Sequence, residues 1–167
     1  MKNDITLIIL TFLILSSCTG LKIKRADFKP IDKTFNSSFY NVPSKTKGHY
    51  PDSTMLEVFE IFQVRSDSIN LSFNNSGQLQ ISFDKNSQTK SFDGKFKKGY
   101  FQIYFRNKKT IIPIFYSKRD IYRLRLALTK DNELIIANKW ARDGNIFILA
   151  GGASGHRKYY FKQTRTK

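Results

Sequence analysis

From Ser68 onward, hydrophobic and polar positions alternate with the period of a β-strand. The stretch SINLSFNNSGQLQISF puts Ile69, Leu71 and Phe73 on one face, then Leu79, Ile81 and Phe83 on one face. Between them Asn74-Asn75-Ser76-Gly77 supplies turn chemistry, with a glycine free to take positive φ, and the unit is expected to be a hairpin. SFDGKFKKGYFQIYFR repeats the form: Phe92 and Phe96 precede Lys97-Lys98-Gly99, and Phe101, Ile103 and Phe105 follow. In DIYRLRLALTKDNELIIANKW, Tyr122, Leu124, Leu126 and Leu128 face one way and Arg123 and Arg125 the other. Lys130-Asp131-Asn132 then turns the chain into the run 134–140. Shorter runs at 111–116, 145–150 and 157–162 are also expected as strands, and Pro113 sets its strand at an edge or on a bulge.

One stretch breaks the alternation. In DSTMLEVFEIFQ, Thr54 and Glu57 have capping-box spacing, and Met55, Val58, Phe59 and Phe62 share one helical face. A short helix is expected there, with strand as the rival. About eight to ten short strands joined by tight turns make an antiparallel meander, which must hide both an apolar face and its edges. Closure does both. The expected fold is therefore all-β: a meander closed as a barrel with one short N-terminal helix, the alternative being a β-sandwich.

The N-terminus follows a different rule. Met1-Lys2-Asn3-Asp4 is polar, and residues 5–15 are then almost wholly apolar. About eleven helical residues at ~1.5 Å each fall well short of a bilayer core of ~30 Å, so a spanning helix is not expected and the run fits a signal-peptide core. Small residues follow, and then Cys18, the one cysteine of the chain. Leu15-Ser16-Ser17-Cys18 resembles the lipobox of bacterial lipoproteins. That resemblance implies a diacylglycerol on the Cys18 thiol, cleavage just before it and acylation of the new amine. Several acyl chains on one residue give lasting attachment. A buried free cysteine beside a core strand is the structural alternative. Thr19 is not the Asp that the family associates with inner-membrane retention, so the outer membrane is expected, on its periplasmic face, with the cell surface as the alternative.

Residues 18–46 show no sustained period and hold Pro30 and Pro43, which suggests a lipidated tether with at most one short strand. The expected organisation is thus signal peptide 1–17, tether 18–46 and β-domain 47–167. Gly48-His49-Tyr50 sits where lipocalins begin their first strand with Gly-x-Trp. With the tether and the meander it resembles a lipocalin-like (calycin) barrel, although the helix after it departs from the usual lipocalin order. That resemblance supplies no catalytic motif.

Composition sharpens the choice of partner. Lys and Arg number 29 against 13 Asp and Glu, a formal charge of +16. Such an excess attracts phosphates, anionic headgroups and acidic glycans. Loss of Lys2 and Asp4 with the signal leaves it unchanged. Arg106, Lys108, Lys109, Arg119, Arg123 and Arg125 are expected on outward positions or turns, as a surface for an anionic envelope polymer or lipid. With tyrosines interleaved they could stack single-stranded nucleic acid, but export removes that partner. Ordinary solvated strand faces are the plain alternative.

Catalytic chemistry is poorly represented. The mature carboxylates sit largely beside turns, and His49 and His156 lie at opposite ends of the domain. Two imidazoles with no free thiol fall short of a zinc set, so no metal or cofactor is expected. GGASGH, residues 151–156, lacks the Lys-Ser/Thr ending of a phosphate loop and is expected as a flexible turn before the last strand. The expectation is a non-enzymatic, monomeric, membrane-anchored module. It holds a small lipophilic or amphiphilic ligand between inward Phe73, Phe83, Phe101, Phe105, Tyr122, Leu126 and Trp140. The alternative is a structural adaptor working through its basic exterior, and the fill of the barrel separates the two.

Overall fold

A computed structural model of the chain describes residues 28–48, 53–85, 87–97, 99–113, 115–147 and 149–164. The lipobox with Cys18, and His49 and Tyr50 of the Gly-x-aromatic element, lie outside the described residues. Eleven strands are present among those described: β1 (Phe28–Lys29), β2 (Asn36–Tyr40), β3 (Lys45–Lys47), β4 (Ser68–Phe73), β5 (Leu79–Phe83), β6 (Gln88–Phe92), β7 (Gly94–Lys97), β8 (Tyr100–Ile112), β9 (Tyr116–Thr129), β10 (Leu134–Ile146) and β11 (Leu149–Phe161). One helix, α1 (Met55–Val58), sits between β3 and β4.

All pairings are antiparallel and fall into two sheets. One runs β3-β11-β10-β9-β8-β7 with β1 beside β9, and the other runs β2-β4-β5-β6. The chain is mostly strand, as the alternation predicts. On one side only Asp93 separates β6 from β7, so a single run of chain leaves one sheet and joins the other. On the other side the continuation of β11 reaches β2: Phe39 bridges Gln163, Tyr40 N donates to Lys162 O at 3.0 Å, and Thr164 N donates to Ser38 O at 2.9 Å.

The three predicted hairpins form at the predicted turns. Gly77 takes φ 79° and donates to Asn74 O, and Gly99 takes φ 86° between β7 and β8. Asn132 takes φ 62° in the turn between β9 and β10. The last four strands differ from the expected short ones, being 13 or 14 residues long. Pro113 lies in the turn between β8 and β9 rather than within a strand, and the run 145–150 straddles the turn between β10 and β11. Residues 151–156 are not a turn: they run inside β11, paired throughout with β10. Glycine suits this strand because the Trp140 indole lies over Gly155, where a Cβ would stand 2.7 Å from its Nε1. The packed fold also begins upstream of residue 47. Residues 28–47 carry β1, β2 and β3, with Ile31 and Phe39 buried, so this part of the expected tether belongs to the domain. Isolated pairs of apolar residues in a Lys- and Asn-rich stretch hid the strands.

The helix forms as its capping box dictates. Thr54 Oγ1 accepts from Glu57 N, and Glu57 Oε2 accepts from Thr54 N at 2.8 Å. Asn41 holds it in place: Met55 N donates to Asn41 O and Leu56 N donates to Asn41 Oδ1, at 2.8 and 3.1 Å. Glu60 and Gln63 at positive φ end the helix early, so Phe62 turns out to solvent while Leu56 and Ile61 join Met55, Val58 and Phe59 in the core. Those side chains meet Ile69, Leu71, Leu79, Ile81, Phe101, Ile103, Leu124, Leu126, Leu134 and Ile136 in one cluster between the sheets.

At the sheet-switching run, Gly94 carries the Phe101 ring: a Cβ there would lie 2.4 Å from Phe101 Cζ and 2.7 Å from Gln102 O. The second contact is backbone and cannot swing away. Gly94→Ala is expected to lower stability by about 1–3 kcal/mol. Urea unfolding checks this, and a midpoint equal to that of the parent would contradict the close approach.

Candidate functional site

Beyond the core, β8 to β11 continue as a projecting four-stranded arm, and strand register decides what each face of it carries. On β9, Leu124 and Leu126 point into the core; on β10, Leu134 and Ile136 do so. Even positions of β9 and β10 and odd positions of β11 therefore share the inner face. On β8, Phe101 and Ile103 point in, and alternation would send Arg106 and Lys108 out. A bulge intervenes. The register shifts between Tyr104 and Arg106, leaving Phe105 without a cross-strand partner. Phe105 still turns inward, against Phe92 and Tyr122, with ring centroids 5.6 and 5.3 Å away. The extra residue reverses the parity of everything after it.

The inner wall of the arm can then be followed row by row. Arg106, Tyr122, Trp140 and Gly155 form the first row, and Lys108, Asp120, Arg142 and Ala153 the second. Thr110, Lys118, Gly144 and Gly151 make the third, and Ile112, Tyr116, Ile146 and Leu149 the fourth. Four cations face one carboxylate on this wall. Asp120 lies 3.5 Å from Arg106 Nε and 3.7 Å from Arg142 Nε, while Arg106 also reaches Glu60 at 3.5 Å and covers the Tyr122 ring at 5.0 Å. An open cleft of about 710 Å³ lies beside its outer three rows on the β9, β10 and β11 side. It is lined by Tyr116, Lys118, Asp120, Arg142, Ile146 and Leu149 together with Ser117, Arg119, Asp143 and Asn145 of the opposite parity. Glycines on the β11 side keep its floor low. The cleft sets three cations, Lys118, Arg119 and Arg142, against two carboxylates, Asp120 and Asp143, and has an apolar lip.

The six basic residues expected to share an outward surface are thus divided. Arg106 and Lys108 face inward because of the bulge, whereas Lys109, Arg119, Arg123 and Arg125 face outward. Three of the outward ones are already engaged. Arg119 pairs with Asp143 at 2.8 Å, Arg123 stacks on Tyr104 at 6.0 Å, and Arg125 lies 4.8 Å over Tyr100 while donating to Gln102. Burial, and then the charge of Arg123, lower the pKa of Arg125.

The residues expected to line a ligand space sit as follows. Phe83, Phe101 and Leu126 are fully buried, and Phe73, Phe105 and Tyr122 pack partly buried against the core. They pack on one another. Phe73 touches both Phe96 and Phe101 at 4.8 Å, and Phe96 touches Phe101 at 4.8 Å. Trp140 stands apart from them, half-buried on the first row of the arm. The Tyr122 hydroxyl donates to Val58 O and accepts from Asn138 Nδ2, both at 3.1 Å, which ties the root of the arm to the helix end.

Lys118, Arg142, Asn138 and Glu60 escape notice in the sequence, and Asp120 is read there only as a carboxylate flanking a strand start. Arg142 follows Trp140 with the same alternation that places Ile136, so the signal for it existed in the continued period. Asn138, buried among apolar neighbours, carried none. Among the described residues no group of three or more His, Cys, Asp and Glu could hold a metal ion.

Burial, and then the Glu60 charge, push the Tyr122 phenol up to about 12 from an ordinary value of 10.0. The folded chain therefore holds this proton longer than the unfolded chain. The stabilisation is complete below pH 10 and is lost as pH rises toward 12. In a phenolate absorbance titration, Tyr122→Phe should remove the step that titrates last. Retention of that step in the variant would contradict the burial of this hydroxyl.

No protein-family model matches the chain, and neither a curated protein nor a solved structure is detectably similar to it.

Proposed function

We propose that this chain is a lipid-anchored, non-enzymatic envelope protein that binds an anionic amphiphile along the inner wall of its arm. The observation that carries this reading is the order of chemistry along that wall. Arg106 shares the first row with Trp140, Lys108, Arg142 and Lys118 follow, and Ile112, Tyr116, Ile146 and Leu149 form the lip. Of these, Lys118, Arg142, Tyr116, Ile146 and Leu149 line the cleft. A headgroup carrying negative charge matches the centre, and an acyl chain matches the lip. The cleft volume falls within the ~300–1,000 Å³ of small-molecule sites.

The lipocalin-like reading gains support from the strand order. The two sheets meet on both sides, through Asp93 between β6 and β7 and through the single Phe39–Gln163 bridge between β2 and the continuation of β11, an order compatible with an eight-stranded barrel. Phenyl rings and the side chains of α1 fill the core between the sheets, which favours a ligand on the arm over one in the interior. The non-enzymatic reading is supported by the carboxylates, several of which have local structural partners. Asp120 and Asp143 hold arginines, Glu57 caps the helix, Asp93 accepts from Gln78, and Asp32 accepts from Thr34. Those Thr34 hydrogen bonds, the side-chain one foremost, keep the Asp32 carboxyl below its usual range. The envelope address and the anchor rest on Leu15-Ser16-Ser17-Cys18 and on the apolar run before it.

Native mass spectrometry of the protein extracted from envelopes in mild detergent tests both parts at once. The expected covalent mass is that of a chain beginning at an acylated Cys18, with a further anionic lipid bound non-covalently. Lys118→Ala with Arg142→Ala should weaken lipid affinity roughly thirtyfold, as two charge contacts of about 1 kcal/mol each imply. An unmodified chain starting at Met1 would overturn the anchor, and repeated recovery of the acylated protein without lipid would overturn the ligand.

A further inference from the structure

The apolar lip of the cleft continues past it onto the far end of the arm. Six large apolar side chains stand there in solvent: Ile111, Ile112, Phe115, Ile146, Phe147 and Leu149, each between 53% and 75% exposed. They belong to two different hairpins, but they form one platform. Phe147 N donates to Phe115 O at 2.8 Å, and the two phenyl rings meet edge to face at 5.5 Å. Phe147 holds this position at φ 54°, a conformation that glycine or asparagine adopts at far less cost. Phe147 at this turn leaves more than half of its surface in water, beyond what its one ring contact with Phe115 covers. Isolated exposed apolar residues need no explanation, but a contiguous cluster marks a contact surface.

The surroundings of the platform select its occupant. Lys118 stands two residues behind Tyr116, about 7 Å back from the tip, and Lys108 and Lys109 stand three to four residues behind Ile112, about 10–13 Å back. A hydrophobic end followed by a cationic collar matches the two layers of an anionic leaflet in order. An interfacial side chain sinks about 5–10 Å below the headgroups, which brings Lys118 level with the phosphates. Long Lys stems can extend along that boundary. A second copy docked tip to tip would set like-charged collars against each other in a chain of formal charge +16.

We infer that the joined hairpin tips, with Phe115 and Phe147 at their apex, insert into the acyl-chain boundary of an anionic bilayer while Lys108, Lys109 and Lys118 bind its headgroups. This contact is distinct from the N-terminal anchor. The described chain starts at β1, which pairs with Thr129 and Leu128 at the end of β9 remote from Tyr116, roughly 40 Å from the tip. Its apex also lies outside the cleft, whose lining omits Ile111, Phe115 and Phe147 while sharing Lys118, Ile146 and Leu149 with the tip.

Depth-dependent quenching tests the insertion in the full chain, whether or not the anchor already holds the protein on the vesicle. Phe147→Trp in a Trp140→Phe background is reconstituted into phosphatidylcholine vesicles with or without one part in three of phosphatidylglycerol, each brominated at the upper acyl positions. The tip tryptophan should be quenched in the anionic vesicles and several-fold less in phosphatidylcholine alone, and Phe115→Ser should weaken the quenching. Phe115→Trp gives a second reporter if the Phe147 variant loses its native circular dichroism. An unquenched tip tryptophan in anionic vesicles, in folded protein, would overturn the insertion. Equal quenching in both vesicle types would overturn the role of the lysine collar. Loss of insertion with lipid still bound in the cleft would leave the preceding reading intact.

Discussion

The arrangement of the arm depends on one unpaired residue. Phe105 sits between Tyr104 and Arg106 without a partner on β9, and with its ring turned in beside Phe92 and Tyr122 it leaves Arg106 inward as well. Side chains alternate with period two, so a single extra residue changes the face of every residue after it. Without it, Lys108, Thr110 and Ile112 would lie on the outer face, and Asn107, Lys109 and Ile111 would replace them on the wall. The packing that keeps the bulge in place is aromatic. Edge-to-face contacts add about 0.5–1.5 kcal/mol each beyond burial, and Phe105 has such a contact with Tyr122.

The same ring links core to arm. Tyr122 lies at the boundary, with its hydroxyl tied to Val58 O and Asn138 and its face under the Arg106 guanidinium. Burying the phenol stabilises its neutral form, and the guanidinium gains a π face without having to leave water altogether. Below this level the side chains are apolar and closely packed; above it they are cationic and wet. The boundary is where the packed core gives way to an open wall, whose arginines have partners on both faces: Tyr100, Tyr104 and Asp143 on the outer one, Tyr122, Glu60 and Asp120 on the inner one.

Local signals carried a good part of this structure. The hairpin turns at Gly77, Gly99 and Asn132 were legible because positive φ has few chemical solutions, and the helix because its capping box is a specific pair of residues. Inward Phe73, Phe83, Phe101, Leu124 and Leu126 followed from alternation. Three things were not legible, each for a physical reason. The bulge at Phe105 leaves no mark in a run of aromatics, so the inward turn of Arg106 and Lys108 could not be foreseen. The glycines of 151–155 look like a loop until Trp140 is known to lie across one of them. Strands β1 to β3 draw their stability from pairing with distant partners, Thr129, Ile69 and Tyr159 among them, and show little pattern of their own.

A nuclear Overhauser spectrum of the folded protein examines the bulge most directly. With Arg106 Cζ 5.0 Å from the centre of the Tyr122 ring, the Arg106 side-chain protons should be shifted upfield by the ring current and show cross-peaks to the Tyr122 ring protons. If Arg106 side-chain protons show no cross-peaks to the Tyr122 ring and Arg106 instead lies opposite Ile121 with Phe105 opposite Tyr122, β8 has no bulge and the cationic wall does not exist.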